Sequence, residues 1–358
     1  MKSRLNVLLV LVCISVFCFV LNAQAQQKQL VVCTYGGAWG EFLKKVFFDP
    51  FEKETGVKVI QAFDPIEGKI KAMVQSKNVE WDVVEVGGAM MLHFVKDGLL
   101  EKMDYSYFDK ETLSGFEDFQ KHPYGIWFMM YSVVMAYDKG AFPKEQPKSW
   151  ADFWNVKKFP GPRSLKSGAG SGYAPIEEAL LADGVPMDKL YPCDIDRAFS
   201  SLDKIRPHVV KWWTTGAEAP QLLVDKEAVL VEAYNGRIAD IKSKGANVEI
   251  EWNQGRLTHE HWIIPKGTKN YDAAMKFIAF VSHAKQQTTM SNGYPNGAVN
   301  KHAYKDISPS RAKELPSSPE NVKKQFFFND EWWTSTNPKT RKTNLETVKE
   351  RWDSWVLK

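Results

Sequence analysis

The sequence predicts an α/β protein built as two lobes, and three observations carry that prediction. Short apolar, β-branched runs alternate with segments whose apolar residues recur at helical spacing, the pattern of a mostly parallel sheet covered by helices. The 358-residue chain is longer than one hydrophobic core usually serves. Strand-like runs also end in glycines, as in CTYGGAW at 33–39 and EVGGAMM at 85–91. In open α/β sheets, ligands bind beyond such carboxyl ends of strands.

The N-terminus predicts a compartment. Lys2 and Arg4 precede an apolar run from Val7 to Leu21, and Ala23–Gln24–Ala25 follows. A basic start, an apolar middle and a small-residue site describe a cleavable secretory signal peptide, residues 1–25. The run is short for a membrane anchor, and neither Cys13 nor Cys18 follows the small residue expected before a lipidated cysteine. Cleavage leaves 333 of the 358 residues and lowers the net charge from +4 to +2, because the leader holds two basic residues and no acid. That balance is too mild to point to nucleic acid or an anionic membrane. No later segment approaches transmembrane length, so the mature chain is expected to be soluble outside the cytoplasm. Cys33 and Cys193 remain, 160 positions apart. One bridge is permitted, but two separate buried thiols are the simpler reading.

Leu30–Thr34 is the first strand. Trp39–Thr55 is a helix with Phe42, Leu43, Val46, Phe47 and Phe51 inward, closed by Gly56. Strand Val57–Ala62, helix Pro65–Ser76, strand Trp81–Val86 and helix Met90–Asp97 follow. Tyr124–Tyr137 is one long strand, long enough to cross between lobes. A helix opens at Ser149–Trp154 and breaks at Phe159–Pro160–Gly161–Pro162. The second set has strand Arg163–Lys166, helices Pro175–Asp183 and Asp194–Ile205, and strand Val209–Trp213. Strands Asp225–Ala233 and Val248–Trp252 then flank a helix at Arg237–Lys244. Trp262–Pro265 is extended, Tyr271–Ser282 is helical, and a polar tail from Lys301 closes with helix Asn344–Trp355, whose Val348, Trp352 and Trp355 share one face.

Several side chains stand where a ligand would meet the strand ends. Tyr35 and Trp39 flank the glycine turn after the first strand, and Glu85 ends the third. Trp212 and Trp213 are consecutive on a strand and so face opposite sides; Trp213, beside the polar TTG turn, is the one expected in a cleft. His259, Glu260 and His261 invite a metal reading, but on a strand the two imidazoles share one face and Glu260 takes the other. No H-E-x-x-H or paired-cysteine motif accompanies them, and no metal or other cofactor is expected. An enzyme would need a nucleophile beside a base or a matched acid–base pair. GAGSG at 168–172 lacks the G-x-S-x-G order and GGAWG lacks the Lys–Ser/Thr of a phosphate loop, so no catalytic residue is singled out.

An ordered series of blocks covers nearly the whole mature chain: FEKETGVKV at 51–59, EWDVVEV at 80–86, FPGPRSL at 159–165, ALLADGV at 179–185, WWTTGA at 212–217, AYNGRI at 233–238, VEIEWNQG at 248–255, HWIIPKGTKN at 261–270 and GYPNG at 293–297. In order and spacing it resembles the periplasmic solute-binding proteins of ABC importers, specifically the spermidine/putrescine-binding group. The resemblance implies a type II-like fold of two α/β lobes joined by crossing strands that close on a ligand, a transient partnership with an inner-membrane permease, and a monomer. It divides the chain into 26–133 plus 263–300, 134–262, and a C-terminal segment 301–358 packed on the lobes, with crossings near Tyr131–Tyr137 and Trp262–Pro265.

In the polyamine-binding members, cleft aromatics face the alkyl chain and carboxylates take the ammonium ends. By position, the resemblance implies such roles for Tyr35, Trp39, Tyr234, Glu260 and Tyr294, and it sets Tyr131 and Ser132 on the crossing strand facing the cleft. This sequence departs from the pattern at Gly87–Gly88–Ala89, at KSGAGSGY (166–173), which carries no acid, and at Thr258–His259, where an aromatic is replaced. One ammonium site is retained and the second is in question, with Glu85 a candidate second acid. The expected ligand is a small amine-containing solute, a polyamine or an ω-amino acid such as 4-aminobutyrate, with a one-cation amine, which could carry a carboxylate at its other end, preferred to spermidine. That carboxylate would meet the backbone at Thr214–Thr215–Gly216, the hydroxyl of Ser167 or Ser171, and Arg237.

Overall fold

The computed structural model describes residues 29–169 and 173–358. The leader read at 1–25 and Ser171 lie outside the described residues. Among the described residues, ten strands form one mixed sheet: β1 (Gln29–Thr34), β2 (Lys58–Phe63), β3 (Val83–Gly87), β4 (Lys121–His122), β5 (Gly125–Asp138), β6 (Arg163–Lys166), β7 (Val209–Trp213), β8 (Leu230–Tyr234), β9 (Val248–Ile263) and β10 (Phe326–Phe327). The path across it is β2-β1-β3-β9-β5-β8-β6-β7, with β4 on β5 and β10 on β9.

Two strands organise this sheet. β5 has 14 residues and β9 has 16, and at about 3.3 Å per residue the longer reaches roughly 50 Å. They run antiparallel from Ile126↔Trp262 to Asp138↔Val248. β3 pairs only with the last residues of β9, Glu260 to Ile263. β8 pairs only with Val133–Tyr137 at the other end of β5. A parallel set β2-β1-β3 therefore hangs from one end of the long pair, and a parallel set β8-β6-β7 from the other.

Helices cover both faces of each set. In the first half, α1 (Gly37–Leu43), α2 (Asp49–Thr55), α3 (Glu67–Gln75) and α4 (Gly88–Lys96) alternate with the strands. Leu30, Val32, Phe47 and Phe51 join one core and Cys33, Val84, Ile70 and Phe94 the opposite one, as the period of two along a strand requires. In the second half, α5 (Ile176–Ala182), α6 (Ile195–Ile205), α7 (Glu218–Val224) and α8 (Asn235–Ser243) do the same. α9 (Tyr271–Ser282) and α10 (Ala284–Gly293) return to the first core through Phe277, Ile278 and Met290. From the tail, α11 (Asp330–Thr334) and α12 (Asn344–Val356) reach the second core, where Val348, Trp352 and Trp355 are buried. Cys33 and Cys193 are both free and buried, and burial pushes the Cys33 thiol up to about 12.

Three readings of the sequence change. Helix 39–55 is interrupted by a π turn at Lys44–Phe48, which keeps Val46, Phe47 and Phe48 buried in succession. The run 225–233 is not all strand: α7 ends at Val224, the chain turns with Lys226 at φ +60°, and β8 starts at Leu230. The segments 248–252 and 262–265 are not separate strands, because β9 runs unbroken through Asn253–Gln254–Gly255. Gln254 takes φ +63° there, and its side-chain and backbone carbonyls accept the Trp150 backbone and indole N–H at 2.9 Å each. A polar triplet that looks like a turn is a bulge pinned by a tryptophan.

β9 also carries Arg256 into the interior, 2% exposed. Its guanidinium meets Glu232 of β8 at 3.1 Å, Glu178 of α5 at 3.3 Å and Glu177 at 3.6 Å. One cation among three buried acids leaves an excess of carboxyls, and burial pushes Glu178 up to about 8 and raises Glu232.

Candidate functional site

The carboxyl ends of β1, β3, β6, β7 and β8 open on one cleft of about 580 Å³, lined by Tyr35, Gly87, Ser167, Thr214 and Asn235, each at or just past its strand's end. The long pair contributes Met129, Tyr131 and Glu260 to the same cleft.

The turn at 33–39 shapes one wall. β1 stops at Thr34, Gly37 adopts φ +67°, and α1 begins. A side chain at Gly37 would be strained at that angle, so glycine makes the abrupt exit possible. The turn then holds Glu85: the Tyr35 backbone N–H donates to its carboxylate at 3.3 Å, and the Trp39 indole N–H to both oxygens at 3.0 and 3.2 Å. Trp39 packs its ring against Tyr294, centroids 5.1 Å apart, whereas Tyr35 as a residue is 38% exposed.

Opposite this turn, Glu260 projects from β9, paired across the backbone with Gly87 and Met129. A Cβ on Gly87 would lie in van der Waals contact with the Glu260 carboxylate, 3.8 Å away, which places β3's end directly beside it. Glu260 is 4% exposed and its Oε2 has no hydrogen-bond partner among the described residues. Burial, reinforced by Glu85, holds its carboxyl well above the ordinary range, although the Tyr131 hydroxyl and Lys166 oppose the shift. Burial likewise pushes Glu85 up to about 8 against the Trp39 and Tyr35 hydrogen bonds. Two buried acids within each other's field form a site that a cation would relieve.

The other wall is cationic. Arg237, at the start of α8, has no hydrogen bond or ion pair among the described residues, and it acts on Tyr294 through its charge. Lys166 ends β6 and donates to the Tyr234 hydroxyl at 3.0 Å. Tyr131 and Tyr234 meet edge to face, centroids 5.7 Å apart, closing the space between the walls.

Of the residues expected from sequence, Tyr35, Trp39, Glu85, Tyr131, Ser167, Thr214, Tyr234, Arg237, Glu260 and Tyr294 line this cleft. Trp213 does not: it is 1% exposed and its indole donates to the Glu232 carbonyl at 2.8 Å, beneath Tyr234. Its neighbour Trp212 turns away to pack on Trp352 and Trp355. Ser132 is also buried, its backbone N–H donating to Asn235 at 2.8 Å and its hydroxyl bonded to Gln325. The backbone at Thr214–Thr215 is taken as well, because the Glu218 carboxylate accepts both N–H groups at 2.6 and 3.0 Å. The Ser167 hydroxyl accepts the Ala169 N–H at 3.1 Å, which leaves its own proton to donate.

The sequence reading did not single out Lys166, Tyr173, Met90, Met129, Asn235 or Asn296 of the lining. For Lys166 and Tyr173 a signal existed, since they bound the segment 166–173, whose missing acids and two serine hydroxyls drew the reading away from its cation and its aromatic. His259 and His261 lie on the face of β9 opposite Glu260, stacked on and edge to Trp127. Burial drives both imidazoles down, His259 to about 3. Among the described residues no three His, Cys, Asp or Glu side chains gather as metal ligands.

Comparison with known proteins agrees with this architecture. Residues 47–317 match the family described as bacterial extracellular solute-binding protein. A gamma-aminobutyric acid-binding protein of Pseudomonas aeruginosa is 35% identical, covering 95% of this chain and 94% of its own. The crystal structure of an ABC transporter substrate-binding protein from Bradyrhizobium japonicum superposes with TM-score 0.83 at 36% identity, over 92% of this chain and 99% of that one. A solved GABA receptor superposes with TM-score 0.80 at 37% identity, over 92% and 97%. With the fold, the cleft at the strand ends and most of its length accounted for, this chain belongs to the bacterial extracellular solute-binding protein family.

Proposed function

We propose that this protein is the periplasmic substrate-binding component of an ABC importer, and that it captures an ω-amino acid such as 4-aminobutyrate by closure of two lobes and delivers it to a membrane permease. The observation that carries this reading is the charge arrangement of one cleft: Glu85 and Glu260 buried on one side, Arg237 unpaired on the other. The ligand's ammonium would take the acid pair, the rings of Tyr35, Trp39 and Tyr131 would face its methylenes, and Arg237 with the Ser167 and Thr214 hydroxyls would meet its carboxylate. The gamma-aminobutyrate names of two relatives support the choice of ligand class. In this reading the leader at 1–25 is cleaved, the mature chain acts as a monomer, and the lobes divide near residues 133 and 263, within the long strand pair. It is a binder rather than an enzyme.

A thermal-shift screen of the mature protein against 4-aminobutyrate, putrescine, spermidine, related amino acids and quaternary amines tests the reading, with calorimetry on each hit. A ligand in excess of its Kd raises the melting temperature by mass action. Stabilisation by 4-aminobutyrate, recovered unchanged after denaturation, is the expected result. No shift with any amine overturns the ligand class, and chemical turnover of the hit overturns the binder reading.

A further inference from the structure

Lys166 occupies an unusual setting for a lysine. It ends β6 at the cleft, and its backbone N–H donates to the buried Glu232 at 2.7 Å, which in turn meets Arg256 at 3.1 Å. Its ammonium stands among three aromatic rings, 5.3 Å from the centroid of Tyr234, 5.7 Å from Trp213 and 5.8 Å from Tyr173. Its side-chain hydrogen bond goes to the Tyr234 hydroxyl, and no carboxylate among the described residues forms an ion pair with it. Aromatic faces compensate a partly desolvated cation without neutralising it. Its positive field therefore stays in the cleft, where it weakly opposes the upward shift that burial and Glu85 impose on the Glu260 carboxyl.

We propose that Lys166 is the specificity-determining residue of the cleft, its ring-caged ammonium repelling the second ammonium of a diamine and attracting the carboxylate of an ω-amino acid. The inference rests on the reading of the cleft as an amine site. An aliphatic diamine that sets one end on Glu85 and Glu260 carries a second like charge toward Lys166, in a space where burial weakens screening. Discrimination then comes from a repulsive element as much as from an attractive one. The cage suits this role better than a salt bridge would, because a carboxylate partner would cancel the repulsion.

The test is calorimetry on the wild type, Lys166→Met and Lys166→Arg with three ligands of one chain length: 4-aminobutyrate, putrescine and butylamine. Butylamine has the ammonium and the methylenes but no second charge. In Lys166→Met, putrescine should bind at least about tenfold tighter and 4-aminobutyrate at least about tenfold weaker, with butylamine within about threefold of its wild-type affinity. Lys166→Arg should keep the wild-type order. A variant that merely loosens the fold moves all three ligands in one direction, and that result, or an unchanged putrescine-to-aminobutyrate ratio, overturns the inference while leaving the amine site standing. A wild type that binds none of the three overturns the amine reading itself. If circular dichroism shows Lys166→Met unfolded, Lys166→Gln is judged by the same criteria.

Discussion

Binding of an ammonium in this cleft should release protons. Glu85 is fully buried and pushed up to about 8, and Glu260 lies well above the ordinary carboxyl range for the same reason. With a pKa of about 8, Glu85 is about nine-tenths protonated at pH 7 in the free protein. An ammonium seated on the pair favours the ionised form, so binding at pH 7 should expel close to one proton from Glu85, and more to the extent that Glu260 also ionises. The ligand ammonium stays charged throughout, since alkylammonium groups titrate near 10. Treating Glu85 alone, the ratio of ionised fractions makes the Kd fall about 50-fold between pH 6 and pH 8 and flatten above that. The assay is titration calorimetry at pH 7 in phosphate and in Tris, where the dependence of the observed enthalpy on buffer ionisation enthalpy counts the protons. Glu85→Gln should remove most of the release. A Kd constant from pH 6 to pH 8, with no buffer dependence in the wild type, would refute the argument that burial keeps these acids protonated until a cation arrives.

Other expectations follow from the same geometry. The raised carboxyl pKa values also act on stability: between about pH 4.5 and 8 the folded state holds protons the unfolded state has lost, so the melting temperature of the free protein should fall as pH rises through that window, and saturating ligand should reduce the fall. Tyr35→Ala and Glu260→Gln should each weaken binding by about tenfold or more, while circular dichroism and melting temperature stay near wild type; unchanged affinity in both would remove them from the site. Arg256→Met should destabilise the fold by about 3–5 kcal/mol, because it leaves Glu177, Glu178 and Glu232 buried without their cation; urea unfolding reads this, and a loss below about 1 kcal/mol would contradict it. Gly37→Ala should cost about 1–2 kcal/mol at φ +67° and weaken binding through the turn that holds Glu85.

The long strand pair shows where sequence reading succeeds and where it stops. β5 was legible because ten of the thirteen positions from Gly125 to Tyr137 are β-branched, aromatic or methionine, with no proline or internal glycine among them. β9 was legible only at its two ends, since Asn253–Gln254–Gly255 has turn composition, and what makes it strand is Trp150, a hundred positions away. In the same way Trp213 and Ser132 carried the right periodicity for the cleft but lie under it. Alternation says which face a residue takes, not whether a Tyr234 or a Gln325 will cover it.

By itself the sequence determined the α/β class, most elements, the glycine turns at the strand ends and the chemistry gathered there, because periodicity, capping and turn residues act over a few neighbours. Only the tertiary structure decided that Glu85 and Glu260 share one field, that Glu218 claims the Thr214–Thr215 backbone, and that Lys166 stands among three rings without an ion pair to any carboxylate among the described residues. Those outcomes depend on which side chains meet across 50 to 175 positions of chain, such as Glu85 and Glu260 or Tyr35 and Glu85, and on burial, which sets how strongly their charges are felt.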